Sequence, residues 1–140
     1  MDKLELCGLD AACVIGDRPE ERVREQRLVV DASLALDLSA AGASDALADT
    51  VDYAALAARI RAELRRARFH MIEAAAECVA RVCLADARAR SVRVRVEKPG
   101  VITGLRAAAV VIERGRGRTP NAERSTPNAS GSDLRPPVSC

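Results

Sequence analysis

A glutamate in the first turn of a predicted helix, Glu73, has the surroundings that best fit ligand binding in this sequence. From Ile72 onward, apolar residues recur at the three- and four-residue spacing of a helix with one buried face. Glu73 lies on the shoulder of that face, and only Ala76 and Ala80 stand beside it along the same ridge. Such small neighbours leave room for a flat ligand with two parallel N–H donors, which a carboxylate pairs with best. The alternative is a charge that only complements the positive end of the helix dipole.

A second carboxylate, Glu21, lies in a loop crowded by Arg18, Arg22 and Arg24. Nearby positive charges should keep such a carboxyl group ionised. A solvated charged hairpin tip would have the same composition, so the loop alone does not decide between the two interpretations.

Two further residues could transfer protons, although each also has a structural explanation. Tyr53 begins a predicted helix in phase with its apolar face, where a half-buried core tyrosine would fit equally well. Lys98 shares the alternation of the valines that precede it on a predicted strand. Its amine should therefore be partly desolvated and suited to proton transfer, unless it reaches solvent past the sheet edge.

The composition limits the possible functions. A chain of 140 residues with 49% apolar and 1% aromatic residues forms one domain whose core must be built from Ala, Val and Leu. The net charge of +2 is too small to indicate a nucleic-acid partner. A single histidine excludes a multi-histidine metal site, and we expect neither a metal nor another cofactor.

The location is predicted from what the sequence lacks. No segment has the length of a membrane span, and the charged N-terminus does not resemble a signal peptide. The five cysteines lack CxxC spacing, and four of them fall in apolar patterns, which is typical of reduced thiols in a cytoplasm.

Hydrophobic periodicity predicts an α+β domain with the element order ββααββ. An antiparallel four-stranded sheet should carry both helices on one face. The first strand changes phase at Gly8, which indicates a bulge, and Asp52 is a plausible N-cap. Residues 39–50 read as a connection of small residues, and Pro99-Gly100 should end the third strand. The predicted strands are 3–15, 27–38, 91–98 and 107–114, and the helices begin near Tyr53 and Ile72.

The composition changes after Arg114. Residues 115–140 are dominated by Gly, Arg, Ser, Thr, Asn and Pro, and bury too little to offset the entropy of ordering. We therefore predict a folded domain over residues 1–114 and a disordered tail over 115–140.

Several short segments, taken in order, resemble dihydroneopterin aldolases. The segments are Val14-Ile15-Gly16, Glu20-Glu21-Arg22 with Gln26, Asp49-Thr50-Val51-Asp52-Tyr53, Arg68-Phe69 with Met71-Ile72-Glu73, and Val96-Glu97-Lys98-Pro99-Gly100. The resemblance runs from about Asp2 to Arg114 and is most specific in the third and fifth of these segments.

The resemblance implies the tunnelling fold (T-fold), in which the sheets of several subunits close into an oligomeric barrel, a tetramer or an octamer. It implies a cytoplasmic lyase of folate biosynthesis that releases glycolaldehyde from 7,8-dihydroneopterin, a pterin. By the same resemblance Glu73 is the pterin anchor, assisted by the main chain around Ile72 and Val51. Glu21, Tyr53 and Lys98 correspond to the residues at the reacting side chain, and the site lies between neighbouring subunits.

Two alternatives remain at this point. The loop before Glu21 is charged rather than aromatic, and its arginines could engage a phosphorylated side chain, as an epimerase acting at C2′ of dihydroneopterin triphosphate requires. The second alternative is an oligomeric pterin-binding domain without catalysis.

Overall fold

The computed structural model describes residues 1–116, which form one four-stranded antiparallel sheet with the strand order β1-β2-β3-β4. Two long helices follow the second strand, as the helical spacing of the apolar residues predicted. The elements are β1 (Asp2–Cys13), β2 (Gln26–Leu36), α1 (Ser39–Ser44), α2 (Tyr53–Ala67), α3 (Ile72–Leu84), β3 (Ser91–Ile102) and β4 (Leu105–Gly115). Short 3-10 turns cover Pro19–Glu21 and Leu47–Asp49.

Two expectations about element boundaries were wrong. Residues 39–50 are not only a connection, because they contain the six-residue helix α1 and a 3-10 turn. Strand β3 does not stop at Pro99-Gly100 but continues to Ile102. Pairing of β3 with β2 ends at Glu97, so Pro99 has a strand neighbour only on its β4 side. On the β2 side, the N–H that proline lacks has no hydrogen bond of the sheet to lose.

The core lies between the sheet and the helices. Alternate residues of β2 and β3 are buried on the covered face, and α3 contributes a face of small residues. Small side chains allow α3 to pack closely against β3, which suits a core with almost no aromatic residues. None of the helices within residues 1–116 is both long and apolar enough to cross a bilayer.

No helix within residues 1–116 covers the opposite face of the sheet, which is lined by paired charges. Arg95 donates to Glu97 at 2.7 Å, and Arg106 donates to the same carboxylate at 3.2 Å. The hydrogen bond from Arg95, with the nearby guanidinium charges, lowers the pKa of Glu97 below its ordinary value. We refer to this surface as the open face.

The predicted bulge in β1 is confirmed. The register between β1 and β2 shifts between Leu6 and Leu9, and Gly8 has a φ of 71°, a backbone conformation that L side chains rarely adopt. The Gly8 amide donates to the Asp31 carboxylate at 2.6 Å, so a side chain on β2 holds the bulge.

The turn between α2 and α3 determines which end of the sheet receives the start of α3. Asp52 caps α2 as predicted, accepting from the amides of Ala54 and Ala55. Arg68 ends α2 in the left-handed conformation, with a φ of 53°, and α3 begins at Ile72. Because the end of α3 lies beside the start of β3, α3 runs antiparallel to β3 and its first turn lies at the Lys98 end of that strand.

The described structure extends two residues past the predicted boundary at 114. Gly115 pairs with Ser91, and the Arg116 amide donates to the Arg90 carbonyl at 3.0 Å. The Arg116 guanidinium donates to Ala89 O at 3.0 Å, to Asp86 O at 2.8 Å and to Leu84 O. The remainder of the predicted tail, from position 117 onward, lies outside the described residues.

Arg116 therefore gives a test of where the domain ends. A chain that ends at Arg116 should match the full chain in thermal stability, whereas one that ends at Arg114 should lose about 1–3 kcal/mol with the guanidinium hydrogen bonds. Calorimetry should show a midpoint roughly 5 °C or more lower for the shorter chain. Equal loss in both truncated chains would place part of the domain after Arg116.

Candidate active site

Lys98 lies on the covered face of β3, in line with Val92, Val94 and Val96, as its parity predicted. Its side chain is only 10% exposed, and the amine donates to Glu21 Oε2 at 2.7 Å. A cation withdrawn from water in this way requires a counter-charge, and the structure supplies it from a loop that precedes Lys98 by 77 positions.

Glu21 ends the short 3-10 turn of the loop between β1 and β2 and is held from three sides. Besides Lys98, it accepts from the Arg18 amide at 3.2 Å and from Gln26 Nε2 at 3.3 Å. The hydrogen bond from Lys98 is the main reason that the pKa of Glu21 falls to about 2, so the carboxylate is ionised at neutral pH.

The predicted source of that ionisation was wrong. We expected the guanidinium groups of Arg18, Arg22 and Arg24 to hold Glu21 in its charged form, but Arg18 contributes its backbone amide. Arg22 directs its guanidinium to the carbonyls of residues 16, 68 and 69 instead. The path of the loop directs these arginine side chains away from Glu21, although they are close to it in sequence. A sequence pattern does not reveal that path.

Gly16 makes room for the Glu21 carboxylate. A Cβ at this position would stand 2.3 Å from Glu21 Cδ and Oε1, and the backbone φ of 127° also favours glycine. Any side chain at residue 16 would therefore displace the carboxylate from Lys98.

The thiol of Cys13 is also near this ion pair but is unsuited to nucleophilic chemistry. Burial is the main cause that raises its pKa to about 11, so the thiol stays protonated.

Glu73 and Ile72 open α3 at the same end of the sheet. Glu73 is exposed, and among residues 1–116 its carboxylate has no hydrogen-bond or ion-pair partner. An open groove, lined by Arg22, residues 67–71 and Ala74, lies beside this first helical turn. A free carboxylate at a helix start beside a groove is available to bind a ligand through paired N–H groups.

Val51 and Tyr53 lie at the other end of the helix pair. Val51 lines a shallow depression together with Val82, in the last turn of α3, and Ala85, which directly follows α3. Tyr53 is 61% exposed rather than half-buried, because the packed face of α2 begins one turn later at Leu56. One chain thus places Glu21, Lys98, Ile72 and Glu73 at the same end of the sheet, and Val51 and Tyr53 at the other end of the helix pair.

Two residues that support Glu21, Gly16 and Gln26, received no role from the sequence, and the contacts of Arg22 were not the ones expected. Gly16 and Gln26 appear in the segments that carry the family resemblance, which is the signal that could have identified them. Gln26 donates to Ile15 O at 2.7 Å as well as to Glu21, and so joins the two sides of the loop. Arg22 binds two carbonyls that lie 46 and 47 positions away, and no local sequence pattern predicts these contacts.

Comparison with known proteins gives a consistent result. The family model for dihydroneopterin aldolase (FolB) matches residues 4–113. Dihydroneopterin aldolase of Escherichia coli K12 is 36% identical over 115 residues, which cover 82% of this chain and 94% of that protein. The crystal structure of the E. coli enzyme in complex with neopterin superposes with a TM-score of 0.78 at 36% identity, covering 82% of this chain and 100% of that one. The chain is also 35% identical over 114 residues to the folic acid synthesis protein FOL1 of Dictyostelium discoideum, covering 81% of this chain but only 17% of that longer protein.

The Glu21–Lys98 pair predicts a specific dependence of stability on pH. The pKa of Glu21 is depressed in the folded state, so its contribution is present above the unfolded value near 4.5 and is lost as the pH falls toward 2. The difference in free energy of unfolding between the parent and Glu21→Gln should therefore shrink by on the order of 2 kcal/mol from neutral pH to about pH 2.5. Denaturant unfolding of both proteins at the two pH values measures this difference in free energy.

Lys98→Met provides the control for that measurement. In this background Glu21 has lost its main partner, so Glu21→Gln should no longer change stability in a pH-dependent way. The same pH dependence in both backgrounds would contradict a coupling between the two side chains.

Proposed function

The chain belongs to the dihydroneopterin aldolase family, and we propose that it cleaves 7,8-dihydroneopterin into 6-hydroxymethyl-7,8-dihydropterin and glycolaldehyde for tetrahydrofolate biosynthesis. The observation that carries this proposal is the mostly buried Glu21–Lys98 pair at the same end of the sheet as the unpartnered carboxylate of Glu73. Glu73 can hold a pterin ring while Glu21 and Lys98 act on the side chain of the pterin.

The reaction needs an electron sink beside the bond that breaks. Aldolases commonly supply one as a lysine Schiff base or as a metal ion. In this substrate the N5=C6 imine can accept the electrons of the C1′–C2′ bond, so the protein needs to supply orientation and proton transfers.

Lys98 is assigned to the proton at N5. Cleavage releases C2′ as the aldehyde carbon of glycolaldehyde and leaves an enamine between C6 and C1′. The ammonium of Lys98 would protonate N5, directly or through a water, and would recover the proton when C1′ is protonated. The 2′-hydroxyl gives up a proton when the bond breaks and C1′ gains one, and Tyr53 would relay the proton that C1′ receives. The ionised Glu21 would orient the side-chain hydroxyl groups.

Glu73 is assigned to the recognition of the ring. Its carboxylate would accept from N3–H and from the 2-amino group, a planar pair of donors. The main chain around Ile72, and around Val51 of a neighbouring subunit, would contact the remaining ring edge. The groove beside the start of α3 offers space for a flat heterocycle at this position.

The complete site is proposed to form between subunits of a homo-oligomer, a tetramer or an octamer. Tyr53 and Val51 are too far along the helix pair to serve the Glu73 of their own chain, since α3 alone spans 13 residues, about 20 Å. Strands β1 and β4 each have one sheet neighbour within residues 1–116, so both can pair with another subunit. The location that we propose is the cytoplasm.

The contacts of Arg22 favour the aldolase over the epimerase alternative. Its guanidinium is occupied by three backbone carbonyls, so it is not available to a phosphorylated side chain. Arg18 remains exposed in the loop and would be the group to test for phosphate recognition.

Turnover of 7,8-dihydroneopterin is the direct test of this function. We expect glycolaldehyde and 6-hydroxymethyl-7,8-dihydropterin in equal amounts, unchanged by EDTA, because the substrate carries its own electron sink. Chromatography of both products, and of the C2′ epimer, separates the alternatives. Activity that disappears in EDTA and returns with a divalent ion would contradict the mechanism, and pterin binding without turnover would indicate a non-catalytic domain.

Substitution of Glu73 and Lys98 should separate ring binding from chemistry. Glu73→Ala should weaken binding of the product pterin by about 30- to 1,000-fold, because a charge-assisted hydrogen-bonded pair is worth on the order of 2–4 kcal/mol. Lys98→Ala should instead slow the chemical step by about 100-fold or more. Calorimetry and single-turnover rates measure the two effects.

Glu20→Ala is the matched control, since Glu20 is an exposed carboxylate with no partner within residues 1–116. It should leave both quantities within about twofold of the parent. A Glu73→Ala variant that binds pterin as well as this control would mean that Glu73 is only a helix-end charge.

Sharing of the site between subunits predicts complementation. Tyr53→Phe and Glu73→Ala homo-oligomers should each be impaired, whereas chains of both kinds co-expressed and assembled together should regain activity. About a quarter of the sites in a random mixture combine an intact Glu73 half with an intact Tyr53 half. Activity of the mixture no greater than the mean of the two parents would exclude a shared site.

A further inference from the structure

Arg22 joins two segments that are distant in the sequence. One of its terminal nitrogens donates to Gly16 O at 2.9 Å and to Phe69 O at 3.0 Å, and the other donates to Arg68 O at 2.7 Å. Arg68 donates in return to Arg22 O at 3.2 Å. We call these four contacts the arginine clasp.

Each segment held by the clasp carries one half of the chemistry described above. The loop over residues 16–22 presents Glu21, which is bonded to Lys98. The turn over residues 68–71 leads directly into α3, whose first two residues are Ile72 and Glu73. An exposed contact between His70 Nδ1 and Asp17 Oδ1, at 3.0 Å, is the only other side-chain link between these two segments within residues 1–116.

The geometry of the turn explains why an arginine stands at residue 22. Arg68 adopts a left-handed conformation at the end of α2, so the carbonyls of residues 68 and 69 leave the helical ladder and need donors. A planar guanidinium has five N–H donors in a fixed fork and can serve these carbonyls and Gly16 O together. A lysine amine is a compact point charge and cannot reproduce this arrangement.

We propose that Arg22 is a positioning residue that sets the separation between the ring-binding carboxylate of Glu73 and the Glu21–Lys98 pair. The inference rests on the proposed function, because it concerns how that reaction is aligned. When the clasp is intact, a pterin held at the start of α3 presents its side chain at a fixed distance from Lys98. Without the clasp, the ring still binds at Glu73, but the reacting carbon is displaced. A displacement near 1 Å can cost about 100-fold in rate.

The test compares Arg22→Ala and Arg22→Lys with Arg24→Ala in the full-length oligomer. Arg24 is an exposed arginine in the same loop and has no hydrogen-bond or ion-pair partner within residues 1–116. We expect kcat for 7,8-dihydroneopterin to fall about 10- to 100-fold in both Arg22 variants and to stay within about twofold of the parent in Arg24→Ala. Affinity for 6-hydroxymethyl-7,8-dihydropterin, measured by calorimetry, should stay within about threefold in all of them.

The pH profile provides a readout that a general loss of stability would not change. Glu21 faces Lys98, Gln26 and the Arg18 amide, and the pKa of its carboxyl is held at about 2. In the parent this group should therefore produce no acid limb in kcat between about pH 4 and 8. Loosening of the loop in the Arg22 variants should raise that pKa toward its ordinary value and create a loss of kcat below about pH 5.

Two results would overturn the proposal: Arg22 variants with the kcat of Arg24→Ala, or a loss of pterin affinity that parallels the loss of kcat. Absence of turnover in the parent would instead contradict the proposed function. If both Arg22 variants fail to fold, hydrogen exchange on the parent decides, since the clasp predicts that product binding protects residues 16–22 and 68–71 together. Protection of residues 68–71 alone would contradict it.

Discussion

The ion pair between Lys98 and Glu21 is the interaction on which the candidate site depends. An amine that is 10% exposed on the apolar side of a sheet would be costly without a counter-charge, and Glu21 reaches it at 2.7 Å. The carboxylate in turn needs the missing side chain at Gly16, the amide of Arg18 and the carboxamide of Gln26. The part of the loop between β1 and β2 that carries Glu21 is therefore arranged around one cation on β3.

The connection between α2 and α3 determines where the second part of the candidate site, Ile72 and Glu73, lies. Because α3 runs antiparallel to β3, the shortest path after α2 returns the chain to the end of the sheet where Lys98 lies. The same geometry sends Val51 and Tyr53, which precede and begin α2, to the far end. An up-and-down helix pair therefore separates residues that are within about 20 positions of each other in sequence, and the proposed reaction requires a second copy to reunite them.

Local patterns predicted the features that arise from local physical causes. The parity of Lys98, the cap at Asp52 and the bulge at Gly8 were predicted from strand alternation, side-chain capping and the change of phase in β1, and all three were found. Helix α1 was missed because its Ser, Ala and Gly residues bury no face and leave no periodic signal. The partner of Glu21 lies 77 positions away and the carbonyls bound by Arg22 up to 47, so only the folded chain could identify them.

The open face of the sheet has a consequence for the medium inside the proposed assembly. If sheets close into a barrel with the helices outside, this face becomes the wall of an internal channel. Its guanidinium and carboxylate groups alternate and pair across strands, as in Arg93 with Glu113 and Arg106 with Glu97, so the wall carries no large field of one sign. Such a wall would be wetted along its length and would let neutral molecules diffuse through the middle of the particle, with little preference between anions and cations.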